Sequence, residues 1–103
     1  MLRLTAALLA LTALVAPSGT ADAADAAKGE VLAKRWCAAC HIVAPDQTSG
    51  NTQAPPFSAI AKKPGFDAAQ VALFLLDPHP KMPDMGLSRS EAADLAAYIA
   101  AQK

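Results

Sequence analysis

The sequence predicts a small all-α domain with long loops. Three observations point there. Three stretches read as helices from apolar positions at helical spacing, and two of them open on a capping residue. No segment alternates apolar and polar residues as a half-buried strand does. Two long stretches rich in Pro, Asp, Asn and Gly, residues 42–56 and 77–87, separate the periodic segments.

The N-terminus stands apart from the rest. Arg3 is the only charged residue before Asp22, and residues 4–15 are almost wholly apolar. Pro17-Ser18-Gly19 breaks any helix, and Ala21-Asp22-Ala23 has the A-x-A form of a cleavage site. Residues 1–23 therefore read as a secretory signal, and residues 24–103 as one exported domain. The alternative, a retained anchor, meets the difficulty that a bilayer needs roughly 20 apolar residues. The processed domain is expected not to span a membrane and to reside in the periplasm.

The first expected helix covers residues 25–39. Val31, Leu32 and Trp36 fall near one face, and Lys28, Lys34 and Arg35 on the other. Gly29 within it costs about 1 kcal/mol relative to Ala, which suggests a close packing contact there. The second covers residues 68–76. Asp67 is its N-cap with Gln70 three residues on, Phe66 and Val71 have staple spacing, and Pro78 ends it. The third covers residues 89–102, opened by a Ser88/Glu91 capping box, with Ala92, Leu95, Tyr98 and Ile99 as its apolar stripe.

Charge and cysteine content narrow the function. Nine Lys/Arg balance nine Asp/Glu over the 103 residues, so nucleic-acid binding has no electrostatic footing. A domain this small needs a staple beyond its apolar core. The two cysteines, Cys37 and Cys40, would close too short a loop to serve as one by pairing with each other.

Their context supplies the answer. Cys37-Ala38-Ala39-Cys40-His41 is a C-x-x-C-H attachment site for c-type haem. The two thiols add across the haem vinyl groups, and His41 binds the iron from the proximal side. A thiol–disulfide pair would expect a βαβ context, and a zinc site two further ligands at suitable spacing. The sequence offers neither. His79, Met82 and Met85, all in one Pro-rich loop, are the candidates for a second axial ligand.

The chain resembles the class I cytochromes c, of the small bacterial periplasmic type. The resemblance is carried by Gly29, Cys37–His41, Ala54-Pro55-Pro56-Phe57, Met82-Pro83 and Asp94-Leu95-Ala96-Ala97-Tyr98-Ile99, in the family's order. It implies crossed N- and C-terminal helices with a middle helix, long loops around one haem, and Gly29 facing Tyr98. It also implies a covalent haem c whose iron takes His41 and Met82 as ligands, with the Pro55 carbonyl bonded to the second nitrogen of His41. Met82 fits because it stands five residues before Leu87, where Met85 does not. Ala33, Ala54 and the loop around Gly50 depart from the family pattern.

With both axial positions filled, no site is left for substrate, and the expected role is electron transfer rather than catalysis. Trp36, Phe57, Ile60, Phe74 and Leu75 are expected to wall the ring, and Lys34, Arg35, Lys62, Lys63 and Lys81 to form a basic rim. The expected partners are redox proteins, a periplasmic dehydrogenase or a membrane oxidase or reductase, met by a monomer. Two alternatives stand beside the shuttle. One is the haem subunit of a periplasmic dehydrogenase complex. The other is a five-coordinate haem that binds gas or peroxide.

Overall fold

The computed structural model describes residues 13–14, 23–51, 53–78 and 81–103. Most of the expected secretory signal, and His79, lie outside the described residues. Helix α1 (Ala26–Trp36) starts where the Asp25 carboxylate accepts from the backbone N–H groups of Ala27 and Lys28, at 2.9 and 3.3 Å. These donors would otherwise be orphaned at the helix start. Helix α2 (Phe57–Ala61) follows Pro56, whose carbonyl accepts from Ala59 and Ile60. Helix α3 (Ala68–Leu76) is capped by Asp67 through Ala69 and Gln70. Helix α4 (Arg89–Ala100) opens on a complete capping box. Glu91 N–H donates to Ser88 Oγ at 3.1 Å, and Ser88 N–H donates to Glu91 Oε1 at 3.0 Å.

The described residues form helices and turns without a strand, as expected. Two details differ from the sequence reading. The first helix stops at Trp36 rather than running to residue 39. Cys37 leaves the helical path at φ −112°, and its carbonyl accepts from both Cys40 and His41 N–H, so the thiol segment is a tight turn. Periodicity does not register that change, because a turn and a last helical turn space their residues alike. Helix α2 was not expected, since five residues are too few to display a period.

The core lies where α4 meets α1 and α3. Ala92, Leu95, Ala96, Tyr98 and Ile99 of α4 are buried, with Ala33 of α1, Phe57 of α2 and Leu75 of α3 packed into the same cluster. The α1–α4 crossing is close enough to require glycine. A Cβ added at Gly29 would stand 2.6 Å from the Asp94 carbonyl carbon and 2.8 Å from Tyr98 Cβ. The same crossing is fastened by Asp25 N–H, which donates to Asp94 Oδ1 at 2.7 Å. Gly29 does face Tyr98, and the N- and C-terminal helices do cross. Tyr98 then spans to the loop after the thiol turn, its hydroxyl donating to the Val43 carbonyl at 2.7 Å. Burial, then the Glu30 carboxylate, push the Tyr98 phenol up, so it stays a neutral donor.

Two predictions follow from the helix crossing and the cap. Gly29→Ala overpacks the crossing against backbone, which cannot give way as a flexible side chain does. It should lower stability by about 1–3 kcal/mol or more, read as a shift in the denaturant midpoint. An unchanged midpoint would refute the close approach. The Glu91 carboxyl is held below its ordinary range by the backbone N–H and then the hydroxyl of Ser88. Its contribution is therefore present above the unfolded glutamate value of about 4.3 and is lost as pH falls through the lower folded value. Glu91→Gln should show a shallower acid-side loss of stability than the parent protein, measured by denaturation at stepped pH.

Candidate functional site

The turn that follows α1 presents the thiols and the imidazole together. Cys37 caps the helix and is buried, Cys40 is exposed three residues on, and His41 is half-buried. Neither cysteine is in a disulfide. Before haem attachment, burial and then the neighbouring Cys40 push the Cys37 thiol up to about 11.

His41 is held from two sides. Its Nδ1 stands 2.6 Å from the Pro55 carbonyl oxygen. A carbonyl can only accept, so Nδ1 carries the proton and donates, leaving the lone pair on Nε2. Its ring packs at 5.5 Å and 49° against Phe57, which in turn meets Tyr98 edge-on at 6.3 Å. Pro55 and Phe57 lie on either side of Pro56, so the lead into α2 supplies both the hydrogen bond and the packing surface. Phe57 N–H, donating to the Ile42 carbonyl at 3.0 Å, ties that lead to the residue after His41.

In front of this turn is a cavity of about 580 Å³. Ligand pockets commonly measure about 300–1,000 Å³. Its lining brings together Cys37, Cys40, His41, Pro55, Met82 and Met85, from three segments that are separate in sequence. Trp36, Ile60 and Phe74 also line it, whereas Phe57 and Leu75 do not. Those two residues were expected on the cavity wall. They are instead buried in the core, Phe57 behind the imidazole.

The expected basic rim is similarly divided. Lys63 and Lys81 line the cavity; Lys34, Arg35 and Lys62 do not. Lys34 pairs with Glu30 at 2.8 Å one helical turn away, which raises its pKa. Arg35 lies 5.1 Å over the Trp36 ring. The two methionines differ in setting. Met85 is 9% exposed and belongs to the core cluster, while Met82 is half-buried at its edge. Gly86, at φ +61°, turns the chain between Met85 and α4.

The donor set fits a haem. Two unpaired thiols, an imidazole with an oriented lone pair and two soft thioethers border one apolar-walled space. Among the described residues no carboxylate is part of that lining, and its side-chain amides and ammonium groups, Asn51, Gln53, Lys63 and Lys81, suit the anionic propionates. Among the described residues no group of three or more His, Cys, Asp or Glu converges to hold a metal ion.

Sequence reasoning missed Gln47. Its side chain hydrogen-bonds the backbone of the thiol turn and of the loop beyond it. A lone Gln in a polar loop gives no periodic or motif signal that could have revealed this.

Comparison with known proteins agrees with this geometry. Residues 24–99 match the family described as cytochrome C oxidase, cbb3-type, subunit III. The chain is 53% identical over 87 residues to cytochrome c-552 of Bradyrhizobium diazoefficiens, an alignment covering 84% of each chain. No solved structure gave a significant match. No helix among the described residues is long and apolar enough to cross a membrane. The match across nearly the whole described domain, together with the C-x-x-C-H turn, places the chain in the mono-haem cytochrome c family, as an electron carrier with one covalently bound haem c and its iron.

Proposed function

We propose that this cytochrome shuttles single electrons in the periplasm, with Cys37 and Cys40 as its thioether attachments and His41 and Met82 as its axial ligands. One observation carries the reading. The Pro55 carbonyl takes up His41 Nδ1 and leaves Nε2 available, and His41 and Met82 line the same cavity. The haem supplies a one-electron ferric/ferrous couple.

The chain's own residues set the conditions for that couple. The hydrogen bond from His41 Nδ1 to Pro55 fixes the tautomer and raises the basicity of Nε2. The Met82 thioether is a soft, neutral donor, and His/Met ligation raises the reduction potential. Trp36, Ile60 and Phe74 keep water from part of the space. Lys63 and Lys81 give the lining a positive character that suits an acidic redox partner. The expected partners, a dehydrogenase on one side and a membrane oxidase or reductase on the other, belong to this proposal, as does a monomeric state. A secretory signal in residues 1–23 supports the periplasmic assignment.

Met85 gives a specific second reading for the distal ligand, because it lines the same cavity. Its burial in the core favours a packing role, and Met82 is the thioether less committed to packing.

Optical spectra of the matured protein test the ligand set. A sharp ferrous α band with a weak ferric sulfur-to-iron charge-transfer band is expected. A high-spin ferric spectrum would overturn the six-coordinate electron carrier in favour of a ligand-binding haem. Met82→Ala should lose the charge-transfer band and bind carbon monoxide in the ferrous state. Met85→Ala should keep the band but lose about 2–5 kcal/mol of stability, as a buried large-to-small change does. The reverse pattern would make Met85 the ligand. Mass spectrometry of the exported protein is expected to find Ala24 at the mature N-terminus, and a chain retaining residues 1–23 in the membrane fraction would defeat the signal reading.

A further inference from the structure

Beyond the ligands themselves, one side chain makes more contacts to the thiol turn than any motif residue predicts. Gln47 sits half-buried in the loop after His41. Its Oε1 accepts from Val43 N–H at 2.9 Å. Its Nε2 lies 3.0 Å from the Ala38 carbonyl, 2.7 Å from the His41 carbonyl and 2.9 Å from the Ser49 carbonyl. These partners decide the amide's orientation without ambiguity. Three are carbonyls that can only accept, and one is an N–H that can only donate. With two protons for three acceptors, one of the Nε2 bonds is shared.

The consequence is mechanical. Ala38 lies between the two thiols and His41 ends the motif, so a single amide nitrogen bridges both parts of the turn. Nearby, Asn51 N–H donates to the Cys40 carbonyl at 2.7 Å, and a Cβ at Gly50 would come within 3.1 Å of the same oxygen. The returning loop is therefore pressed against the motif backbone with no room to slide. Pro55 and Phe57 hold the His41 ring, but neither holds the His41 main chain.

We propose that Gln47 is the positioning residue that fixes the main chain of His41, and through it the plane of the axial imidazole relative to the haem. This rests on His41 being the proximal ligand. Gln47 touches neither the iron nor the haem edge, and it acts only by locking the turn. Ring and main chain together define the imidazole plane. With the Gln47 clamp removed, the His41 carbonyl loses its side-chain partner, and the imidazole plane is set only by the Pro55 bond, the Phe57 ring and the His41 N–H bond to Cys37.

The test uses ferric holoprotein and the hyperfine-shifted haem methyl resonances in its proton NMR spectrum, whose order and spread report the orientation of the axial imidazole. Gln47→Met keeps the side-chain length and removes every hydrogen bond. Gln47→Glu keeps the acceptor for Val43 N–H and removes the donors. Both should shift the methyl pattern, with the charge-transfer band of the distal thioether retained. Asp67→Ala, which removes the remote cap of α3, serves as the control. It should lower stability and leave the pattern in place. A loss of stability in the Gln47 variants with an unchanged methyl pattern would overturn the proposal and leave Gln47 as an ordinary loop support. If Gln47→Met does not accumulate as holoprotein, Gln47→Glu decides on the same readout. If neither accumulates while Asp67→Ala does, the turn needs Gln47 to present its thiols and imidazole for haem attachment, and the assignment stands. Failure of the underlying ligand reading is separately visible, because the unmodified protein would then lack a low-spin spectrum.

Discussion

The absence of a side chain at Gly29 is the constraint on which the rest of this structure depends. It lets α1 approach the Asp94 carbonyl and the Tyr98 Cβ more closely than any other residue would allow. That approach sets where Tyr98 projects, and its hydroxyl reaches the Val43 carbonyl. Val43 in turn offers its N–H to Gln47, which bonds the carbonyls of Ala38 and His41. A line of hydrogen bonds therefore runs from the helix crossing to the thiol turn. The crossing also places Tyr98 against Phe57, and Phe57 against the His41 ring. Backbone and ring of the same histidine are thus referred to one contact between two helices.

The site combines a rigid half with a looser one. On the His41 side several hydrogen bonds within the protein hold the turn, and buried aromatics back the ring. On the other side the methionine loop is anchored at its end, by buried Met85, the bend at Gly86 and the α4 capping box. Met82 stands at the edge of the core, where its flexible thioether is free to meet a cofactor. In the proposed ligand set, a fixed imidazole and an adaptable thioether bordering one cavity suit a one-electron carrier.

Part of this architecture was legible residue by residue. Asp67 and Ser88 announced two helices, because a capping side chain acts within three residues of itself and its signal is local. The C-x-x-C-H run announced the cofactor, because thioether attachment fixes residue types at a fixed spacing. Gly29 hinted at a close contact because glycine inside a helix is unfavourable without a reason. Helix α2 and the end of α1 were not legible. The first is shorter than a period can reveal, and the second depends on how Cys37 hydrogen-bonds beyond the helix. The wall residues were partly misread. Phe57 and Leu75 are as apolar as Phe74, and only packing decides which of them faces the cavity.

The sequence by itself determined the helical class, the caps, the haem attachment chemistry and the family, since each rests on interactions between residues near one another in the chain or on a contiguous motif. The tertiary structure alone decided how His41 is held. Gln47, the Pro55–Phe57 lead into α2 and Tyr98 come from separate segments, and their distances to the turn depend on how α1, α2 and α4 pack. It likewise separated Met85, committed to the core, from Met82 at its margin, although both lie in one short loop. Burial is set by all the neighbours in space at once, and a linear chain records only those on either side.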